Sequence, residues 1–160
     1  MSSDPRAPAA SSPGPAGADR TTSDDDTVAT IVATARRIAV RGAADDPSRP
    51  SHRVMRTLLE VGYDVVPVTP RAQQVLGITA VPTLQDLEEP VDLVNVFRRA
   101  EHAPEVAREA VRAGAWALWL QQGIRSPEAR RVATDAGLHY VEDRCLGVVV
   151  DRERHRHDAP

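Results

Sequence analysis

The sequence predicts an α/β fold, doubly wound around a mostly parallel sheet of about five strands, in a single domain. Three observations carry this. Short apolar runs alternate with amphipathic stretches along the middle of the chain, and each amphipathic stretch closes near a glycine. Hydrophobic residues make up 41% of the chain but aromatics only 3%, so the core must be built from Val, Leu, Ile and Ala. That composition suits strands covered by helices on both faces. Strand and helix patterns alternating at this spacing mean βαβ units and a parallel sheet.

Taken in order, residues 1–26 are Ala, Ser, Pro, Gly and Asp with little to bury, and are expected to be a disordered tail. Asp24, Asp25 and Asp26 then precede Val28, Ile31, Val32 and Ala35, a single helical stripe. Acids ahead of that stripe complement a helix dipole, so a short helix is expected to lead into the first strand. Strand-like runs follow at 38–40, 63–68, 91–97, 115–120 and 138–141. Helical stripes fill three gaps: Val54, Leu58, Leu59 and Val61 after Ser51; Val106, Ala110 and Val111 after Pro104; Val132, Ala133 and Ala136 after Pro127. Their closing glycines, Gly62, Gly114 and Gly137, are those a C-terminal cap favours. Pro82-Thr83 opens a single helical turn reaching Leu87. The folded domain is bounded at 27–150. Residues 151–160 alternate acid, Arg and His and are expected to be a solvated tail, so His155-x-His157 is not taken as a metal site.

Bulk properties exclude several classes. Net charge is −3 at pH 7 and all 20 basic residues are Arg, with no basic field of the kind that holds nucleic acid. A single cysteine, Cys145, rules out an intrachain disulfide. No apolar run is long enough to span a membrane, and the N-terminus lacks a secretory pattern. The expectation is a cytoplasmic protein with a small-molecule partner, no membrane or nucleic-acid partner and no metal.

In such sheets ligands bind beyond the carboxyl ends of the strands. The groups there are 42–51, Thr69-Pro70-Arg71, Arg98-Arg99, 121–125 and Asp143-Arg144-Cys145. All five groups contain Arg, among small or amide residues, which suits an anionic, extended ligand. The loop from Gly42 to Ser51 offers a glycine for close backbone approach, the hydroxyls of Ser48 and Ser51, Arg49, and the opening of a helix. Asp45 and Asp46 are expected to face solvent. One glycine stands where a dinucleotide fingerprint needs three, and Thr69 stands where an NAD site wants an acid, which argues against an NAD enzyme. Of Arg98 and Arg99, which point in different directions, one is expected to bind and the other to pair with acids. His102 is read as a surface neighbour of a helix start, and His52 and His139 have no partners spaced for a triad or a zinc site. No catalytic constellation stands out.

The stretches 42–51, 63–70, Val75-Leu-Gly77, 90–99, 117–123 and Asp143-Arg-Cys145 together resemble the small stand-alone CoA-binding domain proteins of bacteria, a Rossmann-like family. More distantly the chain is similar to the CoA-binding domain of the succinyl-CoA synthetase α subunit. The resemblance implies that Gly42, Ala43, Ala44, Ser48, Arg49, Pro50 and Ser51 line a CoA diphosphate. It implies further that Thr69 and Pro70 sit by the nucleotide, Phe97 and Arg98 beside the adenosine phosphate region, and Gln121 and Gly123 at the end of the cleft. Three positions depart from the family: Ala44 replaces a usual Ser, Thr69 a usual Asn, and Arg41 a usual small apolar residue.

The resulting expectation is a protein that binds CoA or an acyl-CoA without catalysis of its own. Two alternatives stay open. The chain could be the CoA-binding part of an acyl-CoA synthetase or transferase acting with a separate subunit, or a redox module using Cys145, whose thiol is equally readable as a buried small hydrophobe.

Overall fold

The computed structural model describes residues 20–158. Its elements are α1 (Arg20–Thr34), β1 (Arg37–Arg41), α2 (Pro50–Val61), β2 (Asp64–Val68), β3 (Gln74–Val75), β4 (Ile78–Thr79), β5 (Leu93–Val96), α3 (Ala103–Arg112), β6 (Ala117–Leu120), α4 (Pro127–Asp135), β7 (His139–Val141) and α5 (Leu146–Asp158). Single 3-10 turns lie at Leu84–Asp86 and Ala100–His102.

The five expected strands form one parallel sheet in the order β2-β1-β5-β6-β7. Every residue of β5 and β6 is buried, which is why both read as unbroken apolar runs. Helices α1, α2 and α5 cover one face, over Ile38, Val40, Leu93 and Trp119. Helices α3 and α4 cover the other, over Ala39, Val94, Val96, Leu118 and Leu120. Burying each Val, Leu or Ile among these contributes about 1.5–3 kcal/mol. The doubly wound expectation holds.

Local chemistry sets the helix ends. Pro50 opens α2 at a position where a missing N–H costs nothing, and Gly62 ends it in the left-handed region with φ 114°. The Gly62 and Tyr63 N–H groups both donate to the Leu58 carbonyl, closing the last turn. Ser126 caps α4, its hydroxyl accepting from the Ala129 N–H at 3.0 Å. The turn expected from Pro82-Thr83 is the 3-10 turn at Leu84–Asp86, where Thr83 and Asp86 cap each other.

Three features correct the sequence expectations. The hairpin β3–β4 was not foreseen. Its turn, Leu76-Gly77, takes φ 52° and 77°, and leucine at the first position hides the usual Asn-Gly or Asp-Gly signal. The second concerns the C-terminal segment, which is helical to Asp158 rather than a solvated tail from residue 151. Leu146 and Val150, four residues apart, are both 1% exposed and hold α5 against α2, where Gly147 lies over Val54. The charges beyond them pair along the helix, Arg154 with Asp151 at 2.7 Å and Arg156 with Glu153 at 3.5 Å, so a solvated pattern was a helical one. Third, α1 begins at Arg20, so residues 20–26 of the expected tail are helical; the rest of that tail lies outside the described residues. Val28 and Ile31, both buried, anchor this helix and let it propagate back through the aspartates.

Candidate ligand-binding cleft

Sheet order fixes where a cleft can open. From β1 the chain passes through α2 to β2 on one side, then crosses back to β5 on the other side of β1. The loops leaving β1 and β5 therefore diverge from adjacent strand ends, which is the switch point of the fold. Gly42 sits at this point. Its N–H donates to the Val68 carbonyl at 3.0 Å, its φ is 95°, and a Cβ there would lie 2.8 Å from the Phe97 carbonyl oxygen. Only glycine lets the β1 loop lie flush on the β5 loop.

Two adjoining cavities meet along Gly42, Arg49, Phe97, Arg98 and Arg99. The larger branch, about 760 Å³, also takes in Ala43, Ala44, Thr69 and Pro70. The smaller, about 320 Å³, takes in Pro50, Ser51 and Gln121. Of the thirteen sequence-nominated residues, Ser48 and Gly123 line neither. The hydroxyl and N–H of Ser48 both donate to Asp46 Oδ1, at 2.8 and 3.0 Å. The Gly123 N–H donates to Asp143 Oδ1 at 2.7 Å. The cleft walls add Arg41, Arg71 and His102 in the larger branch and Gln122 and Ile124 in the smaller. Past Pro70 and Arg71 a further depression of about 610 Å³ runs along the hairpin, beside Gln74 and Thr79; the missed hairpin hid it.

Electrostatically the cleft is rich in unspent donors. Arg49 is the N-cap residue of α2 without a side-chain capping bond. The N–H groups of Ala43, Ala44 and Ser51 meet no acceptor among the described residues. A helix start with open N–H groups beside cations is a ready anion site. The guanidinium groups of Arg49, Arg71 and Arg98 likewise have no ion pair among the described residues, while exposed Arg99 lies 3.8 Å from Glu101. The two acids on the loop, Asp45 and Asp46, are exposed and also line the larger branch, and each accepts a backbone N–H. Asp45 accepts from the Leu76 N–H at 3.1 Å, tying the loop to the hairpin. The Ser48 N–H and hydroxyl hold the Asp46 carboxyl below its ordinary value.

Beneath the smaller branch lies a buried polar chain. Gln121 is 7% exposed, and its Oε1 accepts from the Leu146 N–H at 3.4 Å and Asn95 Nδ2 at 3.5 Å. With two donors on Oε1, the Nε2 donors of this cleft-lining amide meet no acceptor among the described residues. Thr69, 4% exposed, shapes its own turn: its N–H donates to the Val81 carbonyl and its Oγ1 accepts from the Arg71 N–H. The loop carrying Gln122 is fixed from β7. Asp143, at φ 59°, takes the Gly123 N–H and Arg125, whose bonds hold its carboxyl below the ordinary range. Cys145 is half-buried, packs against the core and lines neither branch.

With the fold and cleft described, the relatives can be named. Residues 36–151 match the CoA binding domain family, and the chain belongs to it. The protein YneT of Bacillus subtilis (strain 168) is 39% identical over 118 residues, which are 74% of this chain and 87% of YneT. A solved structure from Thermus thermophilus, cell-free ID.343, is 43% identical with a TM-score of 0.75, covering 80% of this chain and 97% of that one. Acetyl-coenzyme A synthetase 1 of Ca. Korarchaeum cryptofilum, solved in complex with phosphate and ADP, is 25% identical with a TM-score of 0.59. That match covers 65% of this chain and 25% of the synthetase.

Proposed function

We propose that this chain binds coenzyme A or an acyl-CoA across the cleft at the carboxyl ends of β1, β2, β5 and β6, without catalysis of its own. The observation that carries the proposal is the convergence at one switch point of Gly42 with the Ala43, Ala44 and Ser51 N–H groups and the guanidinium groups of Arg49, Arg71 and Arg98, these donors having no hydrogen-bond or ion-pair partner among the described residues. Backbone donors at close range and forked cations on both walls suit a diphosphate flanked by a further phosphate. Membership of the CoA binding domain family supports the same ligand class. In this proposal Phe97 gives apolar surface to both branches and Pro50 to the smaller one, and the Gln121 amide offers its Nε2 N–H to a ligand carbonyl or phosphate oxygen. Among the described residues no helix is long and apolar enough to cross a membrane, in keeping with a small-molecule partner.

Calorimetric titration with CoA, dephospho-CoA and NAD tests the proposal. Binding is expected to be tightest for CoA, weaker without the 3′-phosphate and weakest for NAD. Silence with CoA, or a preference for NAD, would overturn it. The synthetase-subunit alternative draws on the Korarchaeum match, and acyl-CoA formation by this chain with a captured second subunit would favour it instead.

A further inference from the structure

Building on the proposed CoA site, we infer that Arg41 is an additional phosphate-recognising residue on the wall of the larger branch, and so helps determine which anionic ligand the cleft accepts. Arg41 ends β1 and lines that branch. Alternation along the strand sets it on the same face as Ala39, toward α3. There its Nε donates to Glu109 Oε1 at 3.3 Å, with the two side chains only 12% and 13% exposed. A guanidinium has five N–H donors, and this contact uses one. Nη1 is buried with no acceptor, and Nη2 has none among the described residues.

An idle donor fork on a buried cation is unfavourable for the fold, because desolvation is not offset by bonding. An apolar residue would serve β1 better as packing. The arrangement makes sense when a ligand supplies the missing acceptors. In this inference Glu109 holds the side chain at the branch wall, and oxygens of a bound ligand are the acceptors for the Nη groups. Arg49, Arg71, Arg98 and Arg99 outnumber the two exposed acids, Asp45 and Asp46, on the same walls, so the acceptor that fits is anionic, and phosphate oxygens match the fork bidentately.

The test is calorimetric titration of the full chain with CoA and dephospho-CoA, with the melting temperature measured beside each affinity. It compares wild type, the double variant Arg41→Met with Glu109→Gln, and Arg41→Lys. The double variant removes both buried charges and is expected to melt at or above the wild-type temperature. It is expected to bind CoA about 10- to 100-fold more weakly, the span of lost charge-assisted hydrogen bonds. A residue that only supported the fold would lower both together. Arg41→Lys keeps the charge but not the fork, and is expected to weaken binding with the fold intact; it remains informative if the double variant does not fold. Equal losses with both ligands assign Arg41 to the diphosphate, and a loss confined to CoA assigns it to the 3′-phosphate. Wild-type binding that neither variant weakens overturns the role of Arg41 and leaves the proposed function standing. No CoA binding by the wild type overturns the proposed function and this assignment together.

Discussion

Gly42 has no room for a side chain on two counts, a left-handed backbone and a carbonyl oxygen 2.8 Å from where Cβ would go. Gly42→Ala is expected to destabilise the chain by roughly 2–3 kcal/mol, combining the left-handed penalty with overpacking, and to widen the angle between the two loops. Urea denaturation checks the first effect; loss of CoA binding in calorimetry checks the second. An alanine variant of wild-type stability would mean the loops relax apart freely. The glycine itself was legible in the sequence, because it stops an apolar run just before a Pro-rich loop. Arg41 was legible only as an oddity: its partner Glu109 is 68 residues away, and no local pattern links them. Ser48 stands out for its hydroxyl and Gly123 through the family resemblance, yet the donors of both are spent within the protein, on Asp46 and Asp143.

Among the elements, the strands were readable because burial on both faces leaves a continuous apolar run, and the helices because one face alternates with Gly-terminated ends. The failures have the same kind of cause. Two-residue strands such as β3 and β4 are too short to show a period, and α5 was misread because its buried pair lies at the start while its ion pairs dominate the rest. This makes α5 a good place to separate packing from surface effects. Leu146→Ala should cost about 2–4 kcal/mol through the cavity left against α2. Val148→Ser, two residues on and 50% exposed, should change stability by less than about 0.5 kcal/mol. Thermal or chemical denaturation of the pair decides it: similar values for both would mean α5 is not docked. At the other helix start, Ser126→Ala removes the only side-chain cap of α4 and should cost about 1 kcal/mol, read in the same denaturation series.

For the molecule as a whole, a ligand that binds only the folded state raises stability by mass action, about 2.7 kcal/mol at a hundredfold excess over Kd. The melting temperature should therefore climb with CoA concentration, and equal temperatures with and without millimolar CoA would count against binding. Acidity acts in the opposite direction through His139, which packs edge-on against Trp116 at 4.5 Å. Burial pushes this imidazole below its ordinary value. The unfolded chain then binds the proton more readily, so the stability is complete above about pH 6.5 and is lost as pH falls through the lowered folded-state value. Melting scans between about pH 7.5 and 5.5 should show a decline that His139→Gln makes shallower; an unchanged slope would assign the decline to other groups.

One property of the cleft bears on what it can safely hold. Its fixed positive charge comes from arginines, and the chain has no lysine anywhere. An acyl thioester is an electrophile that surrenders its acyl group to a neutral amine within reach. A guanidinium keeps its charge, and so neutralises a phosphate without offering a nucleophile. Cys145, the single thiol, lines neither branch. Holding an acyl-CoA as proposed, such a cleft would clasp the carrier by its phosphates while presenting no side-chain amine for it to acylate.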